Sequence, residues 1–169
     1  MKILPVAKFP SQALRLRSVE VKEKNEQLAE LIEDLEATML AEQGIGISAI
    51  QVFVPVRMFL IQLQKTGEVK VFINPTLQPL AQETEVSPEG CLSFPGIFAD
   101  VKRFRKVRVT ALDKDLHPFT VDLEGIDAIC AQHELDHLNG ITFYDHLSRL
   151  KKEMIRTKLS KLNKTLNNA

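Results

Sequence analysis

His133 and His137 stand four residues apart in the run Gln132-His133-Glu134-Leu135-Asp136-His137. On a helix this spacing sets two side chains about 40° apart around the axis and one turn along it, so both rings reach one cation. Glu134 sits beside them and can handle a proton without being a ligand. Two neutral imidazoles and a carboxylate in this order suit a hydrolase that activates water on a metal ion. An exposed helix face can carry the same string without chemistry. Here Ile126, Ile129 and Cys130 give the segment an apolar side, which predicts a helix packed into the core and a rigid mount for ligands.

A catalytic ion needs a third protein ligand and a position left for water. The longer zinc-protease pattern requires histidine at position 143, but this chain has Phe143 after a matching Gly140. His146 and Glu153 are downstream alternatives, the second in a basic segment. Upstream, Glu89-Gly90-Cys91-Leu92-Ser93 offers a thiol in a turn, and a thiolate binds a borderline ion strongly. Taken locally, Cys91 reads equally well as a small buried core residue. Cys130, just ahead of His133, reads as pocket wall or core.

These residues need elements to hold them. Leu28, Leu31, Ile32, Leu35, Met39 and Leu40 predict an amphipathic helix over about 23–43, with Gly44 as its cap. β-branched or alternating runs predict strands over 57–62, 70–73, 77–86, 106–111 and 119–123. Helix is expected again over 125–139, stopped by Gly140, and over 148–166. Leu150, Met154, Leu159, Leu162 and Leu166 mark the inner face of that last helix. The expected class is α+β: antiparallel or mixed sheets around a central helix bearing the histidines, with helices towards both ends.

Composition bounds the rest. The chain has 169 residues, 44% apolar and 26% charged, which suits one globular domain over 1–169. Equal numbers of basic and acidic residues, 22 each, argue against a generally basic nucleic-acid binder. From Arg149 onward, however, seven basic residues face one glutamate. That stripe is either a solvated face or a contact for RNA. Two cysteines make no disulfide scaffold, and no apolar run reaches the length of a signal peptide core or a membrane span. A reducing cytoplasm is the expected setting, and no membrane partner is expected.

Three separated strings then align: Gly44-Ile45-Gly46-Ile47-Ser48-Ala49-Ile50-Gln51, Glu89-Gly90-Cys91-Leu92-Ser93, and Gln132-His133-Glu134-Leu135-Asp136-His137. In this order and spacing the chain resembles the peptide deformylases, the bacterial type with a C-terminal helix. The resemblance implies a hydrolase that removes the N-formyl group from the N-terminal methionine of new proteins and releases formate. It implies that Cys91, His133 and His137 hold one divalent ion. Fe²⁺ is the implied native ion, with Zn²⁺, Ni²⁺ or Co²⁺ able to occupy purified protein. Glu134 would move the proton, and Gln51 with the Leu92 N–H would stabilise the oxyanion. The backbones of Ile45, Gly46, Glu89 and Gly90 would pair with the peptide as an added strand. Ile45, Leu92, Ile129, Cys130 and the His133 ring would line the methionine pocket. Arg103 would pair with Asp136, and Glu89 would brace the site.

The implied partners are N-formylmethionyl nascent peptides and, through the basic terminal helix, the ribosome; a monomer is expected. Two departures stand out: Ser48, where the family usually has alanine, and Phe98, where related enzymes often carry arginine. A buried Ser48 hydroxyl would need a partner. The competing readings are a zinc endopeptidase and an inactive, ribosome-associated protein on the same fold.

Overall fold

Asn25 starts the first helix. Its side chain accepts a hydrogen bond from the Leu28 N–H at 2.9 Å, satisfying one donor that a helix start leaves free. In the computed structural model, which describes residues 1–167, this helix, α1, runs Glu26–Ala41. It is shorter at both ends than its apolar pattern predicts. The chain leaves it through Gln43, whose φ of 58° is left-handed, and the Gly44 N–H reaches the Met39 carbonyl at 2.9 Å. The left-handed position of this stop is thus Gln43, where the sequence pointed to Gly44. Gly44 supplies room instead, since a Cβ there would lie 3.0 Å from the Leu92 side chain.

Seven strands follow: β1 (Gly46–Ser48), β2 (Met58–Gln62), β3 (Val69–Pro79), β4 (Thr84–Cys91), β5 (Phe94–Phe104), β6 (Lys106–Leu112) and β7 (Pro118–Glu124). They pair antiparallel in two sheets, one of five strands in the order β1-β2-β3-β6-β7 and one formed by the β4–β5 hairpin. The second helix, α2, runs Gly125–Leu138. A short 3-10 turn over Phe143–His146 leads to the third, α3, over Arg149–Asn167. The α+β class is as expected.

The stretch 77–86, which reads as a single arm, is broken. β3 ends at Pro79 opposite Val107, and after a turn Thr84 opens β4 opposite Phe104, in the other sheet. Residues 78–86 are all exposed, so no burial pattern marks the point where the partner changes. β5 has no counterpart among the predicted strands. Pro95, Gly96 and Asp100 disfavour it locally, and pairing with β4 overrides that preference. β1 also lies outside the predicted strands, being three residues long and beginning with glycine.

β2 shows how the layers form. Phe59 and Ile61 pack with Phe72, Val107 and Val109 against Ala128, Ala131 and Leu138 of α2. Met58 and Leu60, pointing the other way, pack against Leu28, Ile32, Leu35 and Met39 of α1. The five-stranded sheet is therefore covered on both faces. Burying each of the larger apolar side chains among these contributes roughly 1.5–3 kcal/mol.

α3 docks by a narrower face than its leucines suggest. Ile155 and Leu159 are buried against Phe94, Phe143 and Tyr144. Leu150, Met154 and Leu162, predicted on the inner face, are exposed, because only one i,i+4 arc meets the body. Leu166 lies outside the residues whose side chains are described. Among the described residues, no helix is long and apolar enough to cross a membrane.

Candidate metal centre and active site

α2 turns Ala128, Ala131 and Leu138 to the sheet and presents His133 and His137 on its other buried side. Ile126, predicted to help bury this helix, is 55% exposed, and Ile129 lines a cleft. Ala128, Ala131 and Leu138, not the isoleucines, make the helix–sheet contact. Opposite α2, the β4–β5 hairpin brings in Cys91. The register slips between Gly90, opposite Phe98, and Cys91, opposite Phe94, a bulge that re-aims the side chain.

Cys91 Sγ lies 3.4 Å from His137 Nε2, which lies 3.3 Å from His133 Nε2. Tetrahedral coordination with bonds of about 2.05 Å to nitrogen and 2.3 Å to sulfur separates two nitrogens by about 3.3 Å and sulfur from nitrogen by about 3.6 Å. The three donors therefore fit one cation. They form the only such cluster among the described residues, and one sulfur with two imidazoles suits a borderline transition ion. Burial, the His133 charge and Arg103 hold His137 well below its usual pKa, in the neutral form that a ligand requires. Burial lowers His133 as well, but negative charge on Cys91 outweighs it and lifts that ring. The alternative ligands lie elsewhere. His146 Nε2 bonds Asp136 Oδ2 at 2.8 Å, and Glu153 pairs with Arg149 on the solvent side of α3. Cys130 is buried, and burial pushes its thiol well above the usual range, so it stays protonated in the wall of the cleft.

A second ring of contacts holds the ligands. His133 Nδ1 bonds Glu89 Oε1 at 2.9 Å, which leaves Nε2 for the cluster. Arg103 donates through Nε and Nη2 to Glu89, at 2.8 and 3.1 Å, and through Nη1 to Asp136 Oδ2 at 2.7 Å. Burial raises the Glu89 pKa, but hydrogen bonds from His133 and Arg103 outweigh it and bring the carboxyl from 4.5 to about 2.

A depressed carboxylate pKa adds stability above its unfolded value, and that stability disappears as pH falls through the folded value. For Glu89 the contribution at neutral pH is about 3 kcal/mol. The urea midpoint of the wild type is expected to fall more steeply between about pH 4.5 and pH 2.5 than that of Glu89→Gln. Parallel curves would contradict this assignment.

Glu134 is buried, and its Oε2 has no hydrogen-bond partner. Burial raises its pKa to about 7, against the opposing effects of the His133 charge and the Ser48 hydroxyl. A carboxyl poised near neutrality can both accept and return a proton. Gly46 lets β1 come this close, since a Cβ there would sit 2.6 Å from Cys130 Sγ and 3.0 Å from Glu134 Oε1. Gln51 enters from the 3-10 turn Ala49–Val52. Its Oε1 accepts from the Ser48 N–H at 3.0 Å and the Ser48 hydroxyl at 3.1 Å. Its Nε2 donates to Ser93 Oγ at 3.1 Å and faces Cys91 Sγ at 3.6 Å.

A cleft of about 790 Å³ opens beside the cluster. Of the residues singled out from the sequence, Ile45, Gly46, Gln51, Glu89, Gly90, Cys91, Leu92, Ile129, Cys130, His133 and Glu134 line it. Arg103, Asp136 and His137 stand behind them. β1 is the edge of its sheet, and β4 pairs only with β5, so each has a side free for another strand. The Ile45 carbonyl already accepts from the Gln62 N–H at 2.8 Å. Alternation along an edge strand then turns the Gly46 backbone groups outward, towards the open side of the sheet.

Several contributors are not apparent from the sequence. Gln132 bonds both the N–H and the carbonyl of Phe104, at 2.9 and 2.8 Å, and so ties α2 to β5. Lys8 Nζ reaches the Leu92 carbonyl at 2.8 Å. Phe98, already noted in the sequence as a departure from related enzymes, is 73% exposed and forms part of the cleft wall. Only Gln132, a polar residue directly beside a ligand on a buried helix, carries a local signal.

The polypeptide deformylase family model matches residues 3–153. A peptide deformylase of Azotobacter vinelandii is 44% identical over 162 residues, covering 95% of this chain and 96% of the relative. The structure of a peptide deformylase from Legionella pneumophila matches with a TM-score of 0.92 at 37% identity, covering 99% of each chain. That of a peptide deformylase from Ehrlichia chaffeensis, solved in complex with actinonin, matches with a TM-score of 0.91 at 33% identity, covering 95% of this chain and 98% of the other. Matched over nearly its whole length in both sequence and fold, the chain belongs to the peptide deformylase family.

Proposed function

We propose that this chain deformylates nascent polypeptides through a site in which Cys91, His133 and His137 hold one divalent cation. Family membership supports the reaction: a formyl-methionyl peptide and water give formate and a methionyl peptide. The convergence of one sulfur and two imidazole nitrogens, at 3.4 and 3.3 Å, supports the ligand assignment. When bound, the cation supplies Lewis acidity, which lowers the pKa of water and polarises the formyl carbonyl.

Glu134 takes a proton from the attacking water as the new C–O bond forms at the formyl carbon. The carbonyl electrons move onto oxygen, where Gln51 Nε2–H and the Leu92 N–H donate to the developing charge. One such donor is typically worth about 3 kcal/mol of barrier. As the C–N bond breaks, the oxyanion returns to a carbonyl and Glu134 passes its proton to the nitrogen; the hydroxyl proton of the formic acid so formed is taken up by the amine, and formate and the ammonium terminus depart. The peptide lies as an added strand between the open sides of β1 and β4, with Gly46 and the Glu89-Gly90 backbone as its partners. Ile45, Leu92, Ile129 and Cys130 receive the methionine side chain.

Fe²⁺ is the proposed native ion. It follows from the resemblance, since intrinsic affinities at such a donor set favour zinc. The proposed setting is a cytoplasmic monomer, one catalytic domain spanning the chain. The basic face of α3 is its proposed contact with the ribosome.

Metal-loaded protein incubated with formyl-Met-Ala-Ser is expected to release one formate for each new amine. Cleavage of an internal bond in an unformylated peptide, without formate, would favour an endopeptidase. Salt-dependent ribosome binding with no formate release would favour an inactive binding protein.

A further inference from the structure

We propose that Ser48 is a positioning residue for deformylation: its hydroxyl and its N–H together hold the Gln51 carboxamide oxygen, so that the amide donors face the reacting carbonyl. This inference rests on the reading of Gln51 as an oxyanion donor. The terminal torsion of glutamine is broad and roughly two-fold, so packing alone does not choose between the amide and its half-turn rotamer. Turned over, Gln51 would aim an oxygen at the developing negative charge.

The contacts on the two ends of the amide are unequal. At Nε2 the nearer partner is the Ser93 hydroxyl, at 3.1 Å, which can donate or accept and so tolerates either orientation; Cys91 Sγ, at 3.6 Å, is a longer and weaker acceptor that favours the amide donors on this side. At Oε1 the Ser48 N–H, at 3.0 Å, can only donate, and the Ser48 hydroxyl adds a second bond at 3.1 Å. A carbonyl oxygen has two lone pairs and accepts both. Ser48 and Gln51 are both fully buried, so water does not compete for these bonds. Alanine at this position would keep the N–H and lose the hydroxyl, which makes Ser48→Ala a one-donor deletion with little change in volume.

In metal-loaded enzyme, Ser48→Ala is expected to lower kcat about three- to tenfold, the range of one neutral hydrogen bond, with KM within about twofold. In a Gln51→Ala background the same substitution is expected to change the pH-independent kcat by less than about 1.5-fold, because the group it positions is gone; plateau values are compared because the Ser48 hydroxyl also bears on Glu134. In zinc-loaded protein without substrate, the Gln51 side-chain amide NMR resonances are expected to shift or broaden in Ser48→Ala. An equal fall in both backgrounds, a loss carried by KM, or unchanged Gln51 resonances would overturn the proposal. If Gln51→Ala alone leaves turnover intact, the oxyanion reading fails, and the resonances still decide whether Ser48 orients the amide.

Discussion

Glu134→Ala is expected to keep its cation and to lose turnover by about 10³-fold, within the range that a positioned acid–base group contributes. The separation of the two effects follows from geometry. Glu134 is not among the three converging donors, so the ligand set survives its removal. Its Oε2 has no hydrogen-bond partner, so truncation leaves no buried group newly orphaned on that side. The substitution removes, among the described residues, the only buried carboxyl that both lines the cleft and has a pKa raised to about 7. Elemental analysis and formate release on the same sample test this directly. Full metal content with a near-normal rate would remove Glu134 from the mechanism.

Cys91→Ala is expected to have the opposite signature, with the cation itself lost. Truncating residues that merely support metal ligands typically costs 10- to 100-fold in affinity, and deleting a thiolate ligand should cost more than that. After dialysis, occupancy is expected to fall below about one-tenth, with turnover falling in proportion. The fold should persist, because Cys91 is only partly buried and sits at the bulge of a hairpin rather than in the central sheet. Full occupancy after dialysis would require another third ligand, and the geometry offers neither His146 nor Glu153 for that place.

What the sequence reveals depends on how local the cause is. His133, Glu134 and His137 are legible because helical spacing alone brings them together. Cys91 is legible only as a candidate, since a thiol in a turn is equally a core residue until the hairpin is known to face α2. Arg103 is harder still. It lies on β5, whose Pro95, Gly96 and Asp100 hide the strand, and its bonds to Glu89 and Asp136 exist only once β5 pairs with β4 and packs beside the helix. The break between β3 and β4 is invisible for a related reason: residues 78–86 are all exposed, so no buried side marks which strand lies next to them. The α3 leucines mislead in the other direction. Their pattern implies a broad apolar face, but among the described side chains of α3 only Ile155 and Leu159 are buried.

X-ray absorption at the metal edge, on protein prepared without oxygen, reads the inner coordination shell directly. One sulfur at about 2.3 Å and two imidazole nitrogens at about 2.1 Å, completed by light atoms from solvent, are expected. A shell of nitrogen and oxygen with no sulfur would contradict the central claim that Cys91 and the two α2 histidines share one ion.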